Sequence, residues 1–329
     1  MAISSMRMAG MKKTTWMAAV LAGAAAAMTP VCVQAQDKHA TSAKMASGPR
    51  SFATPDEGAT ALLDAVRAGK AQGILAIIGP ASKSWLLSGD PVADRADWQH
   101  FLEAYDKKHA ITMESDAKAL IAAGDGDWTF PAPLVKKGDR WVFDEAAGRE
   151  EALNRRVGRN ELNTIQTLLA VVDAQREYAE TEGGAKGLVH YASKFRSSPG
   201  QRDGLYWPTK AGEPPSPLGP LVAQATREGY GGANAKADGQ GTYHGYRYHL
   251  LTGQGKDATG GAFNYVVNGK LFGGFGVIAW PASYGNSGVK SFIVNHEGVV
   301  YAKDLGPQSA AEAEKMKLFN PDASWAKVP

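Results

Sequence analysis

The chain has 329 residues, of which 44% are hydrophobic, 21% charged and 9% aromatic, with a formal net charge of +3. That balance excludes a long disordered chain, a coiled coil and a multi-span membrane protein. At roughly 100–200 residues per domain the length suggests two domains, and 38 Gly with 17 Pro predict a body rich in turns and β-structure.

The first residues read as an export signal. Arg7, Lys12 and Lys13 form a basic start, Trp16 to Met28 an apolar run, and Val33-Gln34-Ala35 a small-residue end before Gln36. The apolar run is too short for a bilayer core of ~30 Å, so residues 1–35 are expected to leave as a signal peptide cut between Ala35 and Gln36. Cys32, the only cysteine, would leave with it, because Val31 is a poor neighbour for a lipoprotein cysteine. No disulfide would then remain in an oxidising compartment, and stability would have to come from core burial. Three basic residues and no acidic one lie before Gln36, so the remainder is electrically balanced. Such a protein has no global field for nucleic acid or anionic lipid. The expectation is a periplasmic or secreted protein with no stable membrane insertion after signal removal.

Residues 36–50 read as a disordered leader, and residues 51–151 as a first module. Thr54-Pro55-Asp56-Glu57 is a helix start, with a capping hydroxyl, Pro in the first turn and acids at the positive end. Ala61, Leu62, Ala65 and Val66 continue at helical spacing to Gly69, and a second short helix is expected over Ala71–Ile78. A third, Asp94–His109, carries Trp98, Phe101, Leu102 and Tyr105 on one stripe. Strand-like runs follow at Ala117–Ala122, Trp128–Val135 and Arg140–Asp144, with Lys137-Gly138-Asp139 turning into Trp141-Val142-Phe143. Asp125-Gly126-Asp127 has too few acids for a calcium loop and reads as a hairpin tip.

A second module spans residues 152–329. Ala146–Arg159 reads as a charged connector holding Arg149, Arg155, Arg156 and Arg159, then Asn160 caps an amphipathic helix running to about Glu180. Gly183–Gly241 is irregular and proline-rich. Strands are expected over Tyr243–Thr252, Ala262–Val267, Leu271–Ala279 and Val289–Asp304. Asn268-Gly269 marks a two-residue hairpin and His296-Glu297-Gly298 a three-residue one. A last helix, Ala310–Leu318, precedes a tail that Trp325 would anchor. The fold class is α+β: N-terminal helices on a curved antiparallel sheet, then a long amphipathic helix on a second antiparallel sheet.

The order of elements in the first module resembles the cone-shaped fold of the nuclear-transport-factor and ketosteroid-isomerase superfamily. Over the body as a whole, ordered phrases carry a second resemblance: Gly148-Arg149-Glu150-Glu151, Arg159-Asn160-Glu161, Asp173-Ala174-Gln175-Arg176-Glu177-Tyr178, Asp203-Gly204-Leu205-Tyr206-Trp207-Pro208, Ser216-Pro217-Leu218-Gly219-Pro220-Leu221, Tyr243-His244-Gly245-Tyr246 and Phe292-Ile293-Val294-Asn295. Together they resemble the bacterial secreted family catalogued as domain of unknown function 2950, which implies export and leaves the activity open. From Asn160-Glu161 to Phe292 the second module also looks like the soluble half of type IV pilin-like proteins. Pilins extend that helix upstream as an apolar membrane span, whereas here Arg155, Arg156 and Arg159 hold the position. Such charges cost several kcal/mol inside a bilayer, so the analogy is to the fold and not to filament assembly.

No coherent catalytic set, metal-ligand spacing or cofactor motif stands in the sequence. His244 and His249 are an odd number of residues apart in a strand pattern and face opposite ways. Arg202, Asp203, Tyr206 and Trp207 form the densest polar-aromatic cluster of the irregular region. They read either as a carbohydrate or peptide contact or as a long loop clamped to the core by its aromatics. The leading expectation is a non-enzymatic exported protein that binds an envelope polymer or another secreted protein, through this loop or through a cavity of the first module. The rival is a hydrolase or isomerase in that cavity, with Asp90, Asp94, Tyr105 and Asp106 as its polar candidates. A buried carboxylate of raised pKa in an apolar pocket would favour the rival.

Overall fold

A computed structural model describes residues 48–184, 187–230 and 241–329. The expected signal peptide, its Ala35–Gln36 bond and most of the leader lie outside the described residues. Three helices open the described chain: α1 (Pro55–Arg67), α2 (Ala71–Ile78) and the single turn α3 (Lys83–Leu86). Thr54 Oγ1 accepts from Glu57 N at 3.2 Å while Glu57 Oε2 accepts from Ala53 N at 2.9 Å, so the start of α1 is satisfied in both directions. The third predicted helix begins earlier than its periodicity suggested. α4 runs Pro91–Lys107, and Asp90 caps it by accepting from Val92 N and Ala93 N at 3.1 Å each. His109 lies beyond it, in a strand.

That strand is β1 (His109–Ser115), followed by β2 (Lys118–Ala123), β3 (Leu134–Lys137) and β4 (Arg140–Phe143), paired antiparallel in chain order. Residues 128–133, expected as part of a strand, are irregular apart from a bridge from Thr129 to Ala122. Every second residue of β2 is buried, Ala119, Ile121 and Ala123 facing the helices. There they join Leu62, Ile74, Ile78, Trp85, Phe101, Phe130 and Phe143 in one core.

The charged connector of the sequence reading is not a connector. Glu145–Tyr178 is one continuous helix, α5, of 34 residues, about 51 Å long at 1.5 Å per residue. Its cap is Asp144, accepting from Ala146 N at 3.1 Å, and not Asn160, which lies buried in mid-helix. The expected boundary at residue 151 therefore falls inside a helix. Ala152 and Leu153 pack on the first core, whereas Leu168, Val171, Val172 and Tyr178 belong to a second. α5 ends in the π-turn Ala179–Gly183. In the irregular stretch beyond it, Gly219–Arg227 forms α6, which the prolines around it concealed.

The second core lies on a five-stranded antiparallel sheet built of β5 (Tyr246–Leu251), β10 (Gly276–Pro281), β11 (Lys290–Asn295), β12 (Tyr301–Asp304) and β14 (Ala326–Lys327), in spatial order β14-β12-β11-β10-β5. The short strands β6 (Gly253–Gln254), β7 (Phe263–Asn264), β8 (Val266–Val267), β9 (Lys270–Leu271) and β13 (Leu318–Phe319) flank it. The β8–β9 hairpin turns on Asn268-Gly269, both at positive φ, as its sequence required. Both faces of the main sheet are covered. Val277 and Ala279 meet α5, while Ile278 and Trp280 meet α7 (Ser309–Lys315), β13 and Trp325. Burial on both sides explains why β10 reads as an unbroken apolar run rather than an alternation. Among the described residues no helix is long and apolar enough to cross a membrane.

Candidate functional site

The charged groups of the Arg202–Trp207 loop are engaged by their neighbours, while Trp207 Nε1 is buried without a partner. Asp203 accepts from Lys194 Nζ at 2.5 Å, Ser198 N at 2.7 Å and Ser198 Oγ at 3.0 Å. Burial raises the Asp203 pKa, but those bonds outweigh it and hold the carboxyl below its ordinary value. Arg202 pairs with Glu182 at 2.7 Å and lies 5.2 Å from the Trp207 ring centroid. The Tyr206 ring carries Arg196 at 4.8 Å, and its backbone pairs with Phe195 and Ser197. Tyr178 Oη donates to Arg202 O at 2.9 Å, tying the loop to α5. This geometry is that of a clamped loop.

A concave site lies elsewhere, between α1–α4, the β2 side of the first sheet and the arginine-bearing half of α5. It encloses about 350 Å³, within the usual range for small-ligand pockets. Its walls are Ile74, Trp85, Leu86, Trp98, Phe101, Trp128 and Phe130, and its charged side is Asp94, Asp97, Arg155, Arg156 and Arg159. The helix approaches this wall closely because residue 148 has no side chain. A Cβ on Gly148 would stand 2.6 Å from Ala132 Cβ and 3.0 Å from Trp85 Cζ2.

The three arginines do different things. Arg155 lies 5.6 Å from the Trp128 ring centroid and is held by Glu151 at 2.6 Å and Thr129 O at 2.8 Å. Arg159 pairs with Asp97 at 2.7 Å. Both are exposed at the rim, where ion pairs contribute little on their own. Arg156 is 9% exposed; it donates to Trp85 O and to Asn286 Oδ1, each at 2.6 Å. Asn286 in turn donates to Leu87 O at 2.9 Å. One guanidinium thus joins α5, α3 and the β10–β11 turn, and Asn286 extends the link to Leu87.

Asp94 is 7% exposed and accepts from Ser88 N, 3.1 Å from either carboxylate oxygen. Burial pushes its pKa up, against the Ser88 bonds and the charge of Arg156. Burial likewise pulls Arg156 down, opposed by Asp94 and Asp97. Behind this pair Asp90, 2% exposed, accepts at Oδ2 from Tyr230 Oη at 2.8 Å and Gly245 N at 3.0 Å. Burial and then the charge of Asp90 raise the Tyr230 pKa. His244, at φ +49°, sits 3.6 Å from Glu228, and burial holds its pKa below the ordinary value. Gly245 has φ +76°, and a Cβ there would come within 2.6 Å of Asn160 Nδ2, which donates to Ser287 O at 2.9 Å.

The four polar candidates of the first module separate. Asp94 lines the cavity; Asp90 is a helix cap and junction acceptor; Tyr105 stacks on His109 with centroids 3.8 Å apart; Asp106 pairs with Arg67 on the surface at 2.5 Å. Sequence reasoning missed Trp85 and Trp128 as walls and Arg156 as a buried bridge. The arginine spacing of α5 was a usable clue, since positions 155 and 159 share a helix face and position 156 lies about 100° round from 155. His249, on β5, donates from Nε2 to Met316 O at 2.9 Å and is not among the residues lining this cavity. Among the described residues no group of three His, Cys, Asp or Glu is placed to hold a metal.

A family model described as a protein of unknown function, DUF2950, matches residues 49–328. No curated protein and no solved structure matches the chain.

Proposed function

As the chain belongs to the DUF2950 family, which is defined without an activity, we propose its function from the cavity: an exported binding protein that takes a small, largely apolar ligand between α4 and α5. The observation that carries the reading is the cavity's composition. Three tryptophans and two phenylalanines form its walls and two buried charged side chains one side, the pattern of apolar body contact with a few orienting polar groups. Export is supported by the basic, apolar and small-residue succession of residues 7–36. The proposed ligand comes from the envelope or its surroundings and is held without a covalent step; the resemblances to cone-shaped and pilin-like folds are analogies of layout and assign no ligand.

Trp85, Trp98 and Trp128 make the test direct, because an occupant must change their fluorescence. Titration of the purified protein with n-butylbenzene and its polar derivatives is expected to quench or shift that emission saturably. Ala152→Trp, which fills the cavity from α5, is expected to weaken binding by at least about 10-fold. Saturable binding that Ala152→Trp leaves untouched would place the ligand elsewhere.

A second reading has one observation in its favour, the raised pKa of Asp94 inside an aromatic pocket. It makes Asp94 a general acid or base. Turnover of a ligand found by the titration, lost in Asp94→Asn while binding persists, would establish it; persistence of turnover in that variant would exclude it.

A further inference from the structure

We propose that the cavity selects the polar end of its ligand as an uncharged carboxamide, held between Asp94 and Arg156. This rests on the cavity being a binding site and adds the chemical class of what it holds. Asp94 and Arg156 both line the cavity and both are nearly inaccessible, at 7% and 9% exposure. Charges so placed are expensive to bury alone and normally pair directly. These two do not. Arg156 directs one terminal nitrogen to Trp85 O and the other to Asn286 Oδ1, and among the described residues Asp94 takes its hydrogen bonds from Ser88 alone.

Counting donors and acceptors shows what is missing. An ionised carboxylate offers roughly four acceptor sites and a guanidinium five N–H donors. Asp94 therefore has acceptor capacity left, Arg156 has donors left, and both open on one cavity. The complement is a group that donates at one atom and accepts at another. A carboxamide does both across its N–C–O unit, giving N–H to Asp94 and C=O to Arg156. A carboxylate would accept from Arg156 but repel Asp94, and an ammonium group would reverse the fault. Of the cavity's other cations, Arg159 is engaged by Asp97 and Arg155 by Glu151. The aromatic walls at Trp98, Phe101 and Phe130 take the apolar body.

The test uses four compounds with one apolar body: 4-phenylbutanamide, 4-phenylbutanoate, 4-phenylbutylamine and n-butylbenzene, titrated into the intact mature protein by calorimetry and tryptophan fluorescence. The amide is expected to bind at least about 10-fold more tightly than either charged analogue, the margin a polar site imposes on a mismatched group. Asp94→Asn keeps the shape and the Ser88 contact but removes the charge. It is expected to bring amide and carboxylate within about 2-fold of each other, with an unchanged circular dichroism spectrum. If the carboxylate or amine matches the amide in the wild type, or Asp94→Asn leaves the ratio unaltered, the carboxamide assignment is overturned. If n-butylbenzene binds and the amide gains nothing over it, the assignment fails while the cavity reading stands. If none of the four binds, the cavity reading fails and this inference with it.

Discussion

The Arg202–Trp207 loop and the Asp94–Arg156 cavity contain similar side chains, yet they differ in what those side chains have left to offer. In the loop, Asp203 has three hydrogen-bond donors around it, and Arg202 has an acid and an indole. In the cavity, two buried charges line one space without bonding to each other, beside aromatic walls. Density of chemistry along the chain is thus a poor guide to a site; unspent hydrogen-bonding capacity facing a void is a better one. A loop must use its polar groups to hold its own backbone, whereas a helix supplies its backbone bonds internally and frees its side chains.

The comparison predicts that the cavity's supporting residues matter to stability far more than the loop's. The largest effect is expected for Asp90→Ala. That change removes the cap of α4, worth about 1 kcal/mol, and leaves Tyr230 Oη and Gly245 N without their acceptor, at about 1 kcal/mol or more each. A loss of about 3 kcal/mol in urea unfolding is expected. A loss below about 1 kcal/mol would mean that the junction is wetter than its burial implies.

Asp94→Asn should move the other way. Its folded-state pKa is raised by burial from an ordinary 3.8, so its favourable contribution is complete below that value and is lost as pH rises through the folded value. At neutral pH the ionised side chain is a liability, with Asp90 and Arg156 as the charges that face it. The asparagine variant is expected to be more stable than the wild type at neutral pH, by about 1 kcal/mol. The gain should fade as pH falls through the raised folded-state value, and be gone below the ordinary 3.8, where the group is protonated whether folded or unfolded. Stability curves that stay parallel across this range would show that burial does not penalise the Asp94 charge. A site that gains stability when its polar residue is neutralised is one retained for something other than folding.

The contrast also marks what could be read from the chain. Local chemistry was legible: Thr54 caps α1, Asn268-Gly269 turns β8 into β9, and Trp325 seats the tail against the Ile278 and Trp280 face of the main sheet. Long-range compensation was not. Arg149, Arg155, Arg156 and Arg159 look like a solvated connector until Arg156 is seen to reach an asparagine 130 residues away. That contact and the bond to Trp85 O let one arginine of a charged segment be buried while the helix continues. Asn160 looked like a cap for the same reason, because its partner, Ser287 O, belongs to a distant turn. The cavity walls come from α1–α4, the 128–131 segment and α5, and no local period announces a surface assembled from so many pieces. β10 misleads in the opposite sense, since its continuous apolar run gives no hint that two different layers claim alternate residues.

The smallest effect is the sharpest discriminator. Arg202→Ala removes one ion pair with Glu182 and one contact with Trp207, both at the surface, with the arginine side chain 52% exposed. Exposed pairs of this kind contribute about 0.5 kcal/mol or less, so urea unfolding should shift only slightly and ligand titration not at all. Binding that survives Arg202→Ala and weakens in Ala152→Trp assigns recognition to the cavity. Binding lost in Arg202→Ala, with the unfolding curve unmoved, would mean that the loop's internal bonds are exchanged for a ligand's, and that its aromatics are a recognition surface after all.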